Sequence, residues 1–215
     1  MSGLAEWTVR LIVADGEGCR FYLDHYKPFR LAALKQDPEA FGSTYTREIN
    51  FTEKDWLSRI NNPLVKTFVA MHSNDRIRVL SATSLIGPLP NPDPASNPFQ
   101  ACAEMTGASD QHHIHDEASP LSFQISGVYT APEARGKGIA KAVVKATVEE
   151  AIKYAKRQMR QLDLSVVVYA SNHAAIAFYK ACGFVVDPKG PRKFFNAHKN
   201  CYEVELCMHY RRSPE

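Results

Sequence analysis

The sequence predicts an α/β protein with a mixed sheet, and three observations support this. Residues 139–157 repeat apolar side chains at helical spacing, with charged side chains on the opposite face. The segment LDLSVVVY, at residues 162–169, has the composition and length of one fully buried strand. Residues 67–72 and 78–86 are two further strand-like runs separated by the turn sequence SNDR, which predicts an antiparallel hairpin. Strands and helices therefore alternate along the chain, as they do in a mixed α/β sheet.

Length and composition indicate one soluble domain. The chain has 215 residues, of which 45% are hydrophobic and 23% charged, close to an average globular protein. Its 26 basic and 23 acidic residues leave a net charge of +3, which argues against a dedicated nucleic-acid-binding protein. No run approaches the roughly 18 apolar residues of a membrane span, and no signal peptide is evident at the N-terminus. We therefore expect neither a nucleic-acid nor a membrane partner.

The five cysteines are scattered along the chain without CxxC spacing. A disulfide framework and a zinc ribbon are therefore not predicted. Free thiols are the expectation in a reducing compartment, so we predict a cytoplasmic protein.

The N-terminal part is predicted to contain one strand and two helices. Residues 7–14 form the strand, which the turn-forming sequence DGEG ends. Residues 22–35 follow as an amphipathic helix that ends before Pro38. Thr52 is the expected N-cap of a second helix, with Asp55 at the position of a capping box. Its apolar side chains are expected to face the core: Trp56, Leu57 and Ile60.

A proline-rich segment at residues 87–120 interrupts this pattern. It holds six prolines and the string HHIHDE, and its length far exceeds a usual connection of some 4–6 residues. We interpret it as a loop insertion over one edge of the domain. Its histidines and acid, although suggestive of a metal site, have no identifiable distant partner. No metal site is therefore predicted from these residues: His112, His113, His115 and Asp116.

A strand, a glycine loop and the long helix then follow one another. Residues 121–130 alternate until Gly127, and a glycine inside a strand often marks a bulge. The N-terminus of the following helix offers unsatisfied N–H groups and a partial positive charge to an anion. Gly136 and Gly138 let the backbone approach a bulky phosphate, and Arg135 and Lys137 add positive charge. The loop fits neither the P-loop nor the GxGxxG pattern.

The C-terminal part is predicted to hold a further helix and three short strands. Ser171 or Asn172 is the expected N-cap of the helix, and Gly183 ends it in the C′ position. The strands are expected at residues 184–186, 193–195 and 202–210.

Two motifs, in this order, resemble those of the GNAT-type N-acetyltransferases, which bind acetyl-coenzyme A. Arg135, Gly138 and Ala140 match the Arg/Gln-x-x-Gly-x-Gly/Ala signature. The segment NHAAIAFYKACGF, which starts at Asn172, is similar to the family's N-x-x-A-x-x-x-Y…GF helix. The run LAALKQDPEAFGSTYTRE also resembles the first-helix region of many members. The resemblance implies one N-acetyltransferase domain over residues 7–210, interrupted by the insertion at 87–120. Its fold would be a GNAT-like mixed, mostly antiparallel sheet of about seven strands with flanking helices.

The same resemblance implies an activity and a set of site residues. Acetyl-CoA would be the co-substrate, and a primary amine would attack its thioester directly in a ternary complex, without a cysteine nucleophile. Tyr179 lies seven residues after Asn172 on the same helix face and matches the family's general acid. The Gly127 bulge would separate two strands and admit the thioester. Pantetheine would pair with the strand end, the pyrophosphate would meet the glycine loop, and Asn172 would touch the cofactor arm. The implied cofactor-binding residues are Val128, Tyr129, Thr130, Arg135, Gly136, Lys137, Gly138, Ile139, Ala140, Lys141 and Asn172.

The general base stays open at this point. Some family members have a glutamate five residues before the asparagine, where this chain has Val167. The remaining candidates are Glu104, His115, Glu48, or a water relay through Gln124 and Ser126.

The acceptor also stays open. A small-molecule amine is slightly favoured over a protein N-terminus or lysine, because an insertion of this length could roof the site. The alternative is a non-catalytic acyl-CoA-binding sensor or scaffold module. The missing glutamate favours that alternative, whereas Tyr179 and the intact loop disfavour it.

Overall fold

The computed structural model describes residues 7–75, 77–89 and 119–211. In this part of the chain the strands are β1 Trp7–Leu11, β2 Val65–His72, β3 Val79–Leu89, β4 Leu121–Thr130, β5 Leu162–Tyr169, β6 Phe184–Val186, β7 Arg192–Asn196 and β8 Cys201–Tyr210. The helices are α1 Gly16–Phe21, α2 Lys27–Gln36, α3 Tyr45–Glu48, α4 Glu53–Ile60, α5 Ile139–Arg157 and α6 His173–Ala181. Most of the predicted insertion, residues 90–118, lies outside the described residues.

All eight strands belong to one sheet in the order β1-β2-β3-β4-β5-β8-β6, with β7 paired to β8. Among the described strands, β4 and β5 pair in parallel, and the other pairs are antiparallel. Parallel neighbours need a crossover connection, which α5 provides. The prediction of a mixed, mostly antiparallel sheet of about seven strands is confirmed, as is the hairpin of β2 and β3.

The first helix begins earlier than the sequence predicts. Asp15 Oδ1 accepts a hydrogen bond from the N–H of Gly18 at 2.8 Å, so Asp15 is an N-cap. Gly18 lies so close to the preceding chain that a Cβ would stand 1.7 Å from the carbonyl oxygen of Val13. The sequence DGEG is therefore the cap and first turn of α1 instead of a loop. A π-helical turn, Tyr22–Tyr26, joins α1 to α2, and β1 ends at Leu11 instead of continuing to residue 14.

Helix α4 follows the predicted capping box. The N–H of Thr52 donates to Asp55 Oδ2 at 2.8 Å, and the N–H of Asp55 donates to Thr52 Oγ1 at 3.2 Å. These two bonds satisfy donors that the helix itself leaves free. Trp56 and Ile60 are buried, while Leu57 is half-buried. The cap thus fixes the start of a helix whose apolar face reaches the core.

Helices cover both faces of the N-terminal half of the sheet. Successive side chains of a strand point to opposite faces, and along β2 they join two different clusters. Val69 and Met71 pack with side chains of α1, α4 and the π turn. Phe68 and Ala70 pack in the cluster that contains the buried faces of α5 and α6. The sheet is therefore sandwiched in this half.

The C-terminal half is covered by helices on one face. In β5, Leu164, Val166 and Val168 are buried with α5 and α6, while the alternating residues are half-buried. The prediction of a fully buried β5 is therefore wrong, because the described helices that pack on β5 cover one of its faces.

Helix α5 has the predicted limits and the predicted amphipathic pattern. Its buried residues include Val144, Val148, Ala151 and Ala155, whereas Ala140 is half-buried. The charged positions of its other face are exposed: Lys141, Lys145, Glu149 and Lys153. Among the helices of the described ranges, none combines the length and the apolar composition that crossing a membrane requires.

Candidate active site

Strands β4 and β5 separate in the middle of the sheet. Their parallel pairing runs from Leu121↔Leu162 to Ile125↔Val166. Two residues later Gly127 has φ +65, and the register between β3 and β4 shifts at the same level. A residue with this φ is strained unless it is glycine, and the predicted bulge is confirmed. Beyond it β4 still pairs with β3, so its opposite edge, at Val128, Tyr129 and Thr130, faces the opening between β4 and β5.

The glycine loop lies directly after this free edge. Gly136 and Gly138 have φ values of 77 and 76, which explains why glycine occupies both positions. A Cβ on either residue would meet no atom within 4 Å, so the space in front of the loop is open. Helix α5 starts at Ile139, and its first amides have no acceptor within the helix. Lys137 and Lys141 are exposed beside them. The loop therefore combines free N–H groups, open space and positive charge.

Arg135 was expected to add free positive charge to the glycine loop, but its side chain is paired with an acidic residue. Its Nη2 lies 2.7 Å from Asp37 Oδ2, and its Nε donates to the carbonyl oxygen of Thr130 at 3.1 Å. The hydroxyl of Tyr129 donates to the same Asp37 oxygen at 2.8 Å. Burial and this hydrogen bond raise the pKa of Tyr129 to about 12, and the same bond together with Arg135 lowers the pKa of Asp37. The contact joins the end of α2 to the glycine loop, and the charge of Arg135 is balanced by Asp37.

Helix α6 carries the other two predicted site residues. Asn172 Oδ1 accepts from the N–H of Ala175 at 3.0 Å, so the predicted N-cap role is confirmed, and its amide nitrogen remains a possible donor to a ligand. Tyr179 is 5% exposed and packs edge-on against Phe178 and Phe184. Burial raises the pKa of Tyr179, so its hydroxyl stays protonated over the working range of pH. The helix thus offers a neutral phenol and a capping amide.

A buried ion triad lies close to Gly127. Glu48 is 0% exposed. Arg30 binds its two oxygens through Nε at 3.1 Å and Nη2 at 3.0 Å, and Arg59 Nη1 lies 3.2 Å away. The remaining nitrogen, Arg30 Nη1, would lie 3.7 Å from a Cβ on Gly127. Sequence analysis did not identify Arg30, since no local motif marks it.

Glu48 is unsuited to the role of general base that the sequence left open for it. Burial alone would raise the pKa of this carboxyl, but Arg30 and Arg59 override burial and lower it to about 2. A carboxylate this weakly basic does not take a proton from an ammonium group near neutral pH. The structure assigns Glu48 to the support of two arginines.

Of the other candidates for the general base, two lie within the described residues and two lie outside them. Gln124 is buried where β4 still pairs with β5, and Ser126 follows it just before the bulge. Glu104 and His115 lie outside the described residues, as does the histidine-rich string considered for a metal site. A water relay through Gln124 and Ser126 stays a prediction.

Two distant segments are in contact at the end of β5. The hydroxyl of Tyr169 donates to the carbonyl oxygen of Phe41 at 3.3 Å, and Asn196 Nδ2 donates to the carbonyl oxygen of Gly42 at 3.1 Å. The ring of Tyr169 also stacks on Phe194, with 6.3 Å between ring centroids. The β7–β8 hairpin therefore touches the loop after α2, a contact between segments too distant in sequence to be predicted.

Comparison with known proteins identifies this architecture. Residues 96–184 match the model of the Acetyltransferase (GNAT) family. No curated protein matches the chain. Among solved structures, ribosomal-protein-S5-alanine acetyltransferase from Vibrio fischeri has a TM-score of 0.60 at 16% identity, over 96% of this chain and 93% of that one.

Two further solved structures contain ligands. Spermidine N-acetyltransferase from Vibrio cholerae, in complex with CoA and spermine, has a TM-score of 0.54 at 15% identity, over 96% of this chain and 95% of that one. NAA60 from Arabidopsis thaliana, in complex with acetyl-CoA, has a TM-score of 0.56 at 15% identity, over 95% of this chain and 97% of that one. At these identities the likeness shows the fold. The predicted GNAT resemblance and fold are confirmed.

Proposed function

Because the chain has the GNAT fold and matches the GNAT acetyltransferase family over residues 96–184, we propose that it is an N-acetyltransferase. It transfers the acetyl group of acetyl-CoA to a primary amine within one domain over residues 7–210. The observation that carries this proposal is the separation of β4 from β5 after Ile125↔Val166, with a glycine loop and a helix N-terminus beside the opening. This arrangement suits a long, flexible thioester that ends in phosphates.

The cofactor binds along β4 and at the start of α5. The edge of β4 that faces the opening, over Val128, Tyr129 and Thr130, pairs with the amide groups of pantetheine as a neighbouring strand would. The pyrophosphate lies against the amides of residues 136–141, which include Gly136, Gly138, Ile139 and Ala140, where helix-terminal N–H groups favour an anion. Lys137 and Lys141 supply the side-chain charge, since Asp37 already balances Arg135. Arg135 acts by holding the loop in place.

The acetyl transfer proceeds by direct attack. The lone pair of the amine adds to the thioester carbonyl carbon, and the resulting oxyanion is stabilised by backbone N–H groups near Val128. The carbon–sulfur bond then breaks, and the electron pair leaves with the thiolate of CoA. Tyr179 donates a hydrogen bond to that sulfur, and the thiolate takes its proton from water, which receives the proton that the amine loses. Because burial raises the pKa of Tyr179, complete proton transfer is uphill, and hydrogen bonding to the leaving sulfur is the main contribution.

The amine loses its proton to water. Glu48 is too weakly basic for this step, because its pKa is lowered to about 2. Ser126 and Gln124 lie where β4 approaches the bulge, and they position a water that carries the proton away. Asn172 caps α6 through Oδ1 and contacts the cofactor arm through its amide nitrogen.

The acceptor is a small primary amine. Contacts from Tyr169 to Phe41 and from Asn196 to Gly42 tie the β7–β8 hairpin to the loop after α2 beside the end of β5, and we expect this link to restrict the access of an extended peptide. The structural relatives include enzymes named for a ribosomal-protein alanine and for spermidine, so relatives of both acceptor kinds share the fold. The comparisons do not favour a non-catalytic acyl-CoA-binding module.

The proposed compartment is the cytoplasm. The described cysteines, Cys19, Cys182, Cys201 and Cys207, are free. Free thiols are typical of a reducing compartment.

The experiment that tests this function follows the release of free CoA thiol from acetyl-CoA. The purified chain is incubated with a panel of polyamines, amino acids, aromatic amines, peptides with a free N-terminus and lysine peptides. We expect turnover with at least one small amine, and a rate about 100- to 10,000-fold lower in the Tyr179→Phe variant under the same conditions. Acetyl-CoA binding without turnover on the whole panel would support the sensor or scaffold alternative. Turnover confined to peptides would contradict the small-molecule acceptor.

A further inference from the structure

Four side chains with metal-ligating chemistry converge on the sheet away from the opening between β4 and β5. Cys207 and His209 alternate along β8, and His209 pairs with β5 on one side and with β6 on the other. Asp163 lies on β5, two residues from the partner of His209, and Asp187 directly follows β6. The residues between them on these strands face the core of α5 and α6, so the four side chains share the opposite face.

The distances within this cluster are short. His209 Nε2 lies 3.5 Å from Cys207 Sγ and 3.1 Å from Asp187 Oδ2. One ligand atom from each of these three residues lies within 4.8 Å of the others. On the other side of the ring, His209 Nδ1 lies 3.0 Å from Asp163 Oδ1. The imidazole therefore has one nitrogen in a group of three ligand atoms and the other held by a carboxylate.

The two distances from His209 Nε2 are close to those of tetrahedral coordination. A zinc ion with a sulfur at about 2.3 Å and a nitrogen at about 2.0 Å separates the two atoms by roughly 3.5 Å, the distance between Cys207 and His209 here. Nitrogen and oxygen ligands of the same ion lie roughly 3.3 Å apart, which requires Asp187 to move by a few tenths of an ångström. We propose that Asp187, Cys207 and His209 bind one Zn²⁺ ion, with Asp163 as the carboxylate that orients His209.

The ligand types select the metal class. A thiolate with an imidazole and a carboxylate suits zinc and similar transition ions, whereas magnesium and calcium prefer oxygen ligands. A zinc-binding histidine commonly donates its other ring N–H to a carboxylate, which fixes the tautomer, and Asp163 occupies that position. The side chains of His209, Asp163 and Asp187 are 21%, 36% and 18% exposed. Solvent therefore reaches the cluster, and a water completes the coordination.

The metal would act as a clamp between three strands. The metal joins β8 directly to the end of β6 through Asp187. It joins β8 to β5 indirectly, through the hydrogen bond between His209 and Asp163. Binding displaces the protons of the Cys207 thiol and of His209 Nε2, while Asp163 retains the bond to Nδ1–H. This site stands apart from the proposed acetyl transfer, and neither depends on the other.

Cobalt(II) is the probe for this site, because a thiolate bound to Co²⁺ gives an intense near-ultraviolet charge-transfer band and tetrahedral Co²⁺ gives strong visible bands. The full chain, produced without a histidine tag and stripped with a chelator, is titrated with Co²⁺ and then with Zn²⁺. We expect saturation at one equivalent, displacement of the cobalt bands by zinc, and a rise in melting temperature that depends on zinc concentration.

Variants assign the ligands. Cys207→Ser and Asp187→Asn should each abolish or strongly weaken the charge-transfer band. Cys201→Ser changes an exposed cysteine at the other end of β8 and should leave the band intact. Asp163→Asn should weaken binding by about 10- to 100-fold, as loss of such an outer carboxylate usually does.

Three results would overturn the proposal. The first is the absence of cobalt bands up to a large molar excess, which would leave His209 as an imidazolium that pairs with two carboxylates. The second is a band that persists in a folded Cys207→Ser chain. The third is equal loss of the band in Cys201→Ser, which would place the metal elsewhere.

Discussion

Replacing Glu48 by glutamine tests the buried ion triad most directly. Glutamine keeps the length and most of the packing of the side chain but removes its charge. Arg30 and Arg59 then retain two positive charges close to each other, and both side chains are largely shielded from water. Breaking a buried ion pair by removing one partner typically costs about 3–5 kcal/mol, because the remaining charge is left without compensation.

The pKa of Glu48 gives an independent magnitude for the same change. A carboxyl lowered from an ordinary value of 4.5 to about 2 corresponds to about 3 kcal/mol of native-state stabilisation at neutral pH. Because Glu48 is 0% exposed, solvent screening does not reduce this value as it does at the surface. We therefore expect the Gln variant to lose about 3 kcal/mol of unfolding free energy at pH 7.

The sign of the effect fixes its pH dependence. The folded-state pKa is lowered, so the stabilisation is fully present above the ordinary value of 4.5 and is lost as the pH falls towards 2. The Gln variant has no carboxyl to titrate. The difference in unfolding free energy between the two proteins should therefore be largest at neutral pH and shrink on acidification. Urea unfolding at a series of pH values measures this difference.

Glu149→Gln is the matched control, since Glu149 pairs with Lys145 at 3.7 Å on the exposed face of α5. An exposed pair of this kind is worth about 0.2–1 kcal/mol, so this variant should change stability little. Loss of less than about 1 kcal/mol in Glu48→Gln, or a difference that stays constant from pH 7 to 3, would refute the reasoning. If instead Glu48 were the general base, the variant would keep its stability and lose turnover together with the acid limb of the pH profile.

Three further changes test the proposed cofactor site and chemistry. Gly138→Val should abolish the rise in melting temperature that acetyl-CoA causes. Gly190→Val changes a glycine of similar φ, 75, in the turn between β6 and β7, and it should lose stability but keep that rise. Tyr179→Phe should lower kcat by about 100- to 10,000-fold with an almost unchanged acetyl-CoA dissociation constant, and activity within about threefold of wild type would contradict its role. Asp37→Asn should weaken acetyl-CoA binding, measured by calorimetry, because Arg135 loses the carboxylate that holds the glycine loop; unchanged binding would count against that role.

The helices and strands of the fold could be predicted where the sequence pattern that specifies them is local. Helix α5 and strands β4 and β5 have the limits that periodicity and turn residues predict. The special backbone positions of Gly127 and Gly138 were also predictable from the sequence, because a positive φ selects glycine whatever the rest of the fold does. The start of α1 was missed for a non-local reason. Gly18 is needed for its close contact with the backbone of Val13, and in the sequence alone such a glycine resembles a turn.

The groups that decide the chemistry depend on contacts that the sequence does not display. Glu48 looked like a possible base because it is an acid near the first helix. Its partners, Arg30 and Arg59, lie on separate helical segments, and only the packing of those segments brings both onto one carboxylate. A carboxylate beside a binding cleft acts as a base only if its partners leave its pKa near the working pH. Here two guanidinium groups do the opposite, and the remaining nitrogen of Arg30 lies close to Gly127. In the proposed site the arginine, and not the acid, is therefore the charged group beside the bulge where β4 and β5 separate.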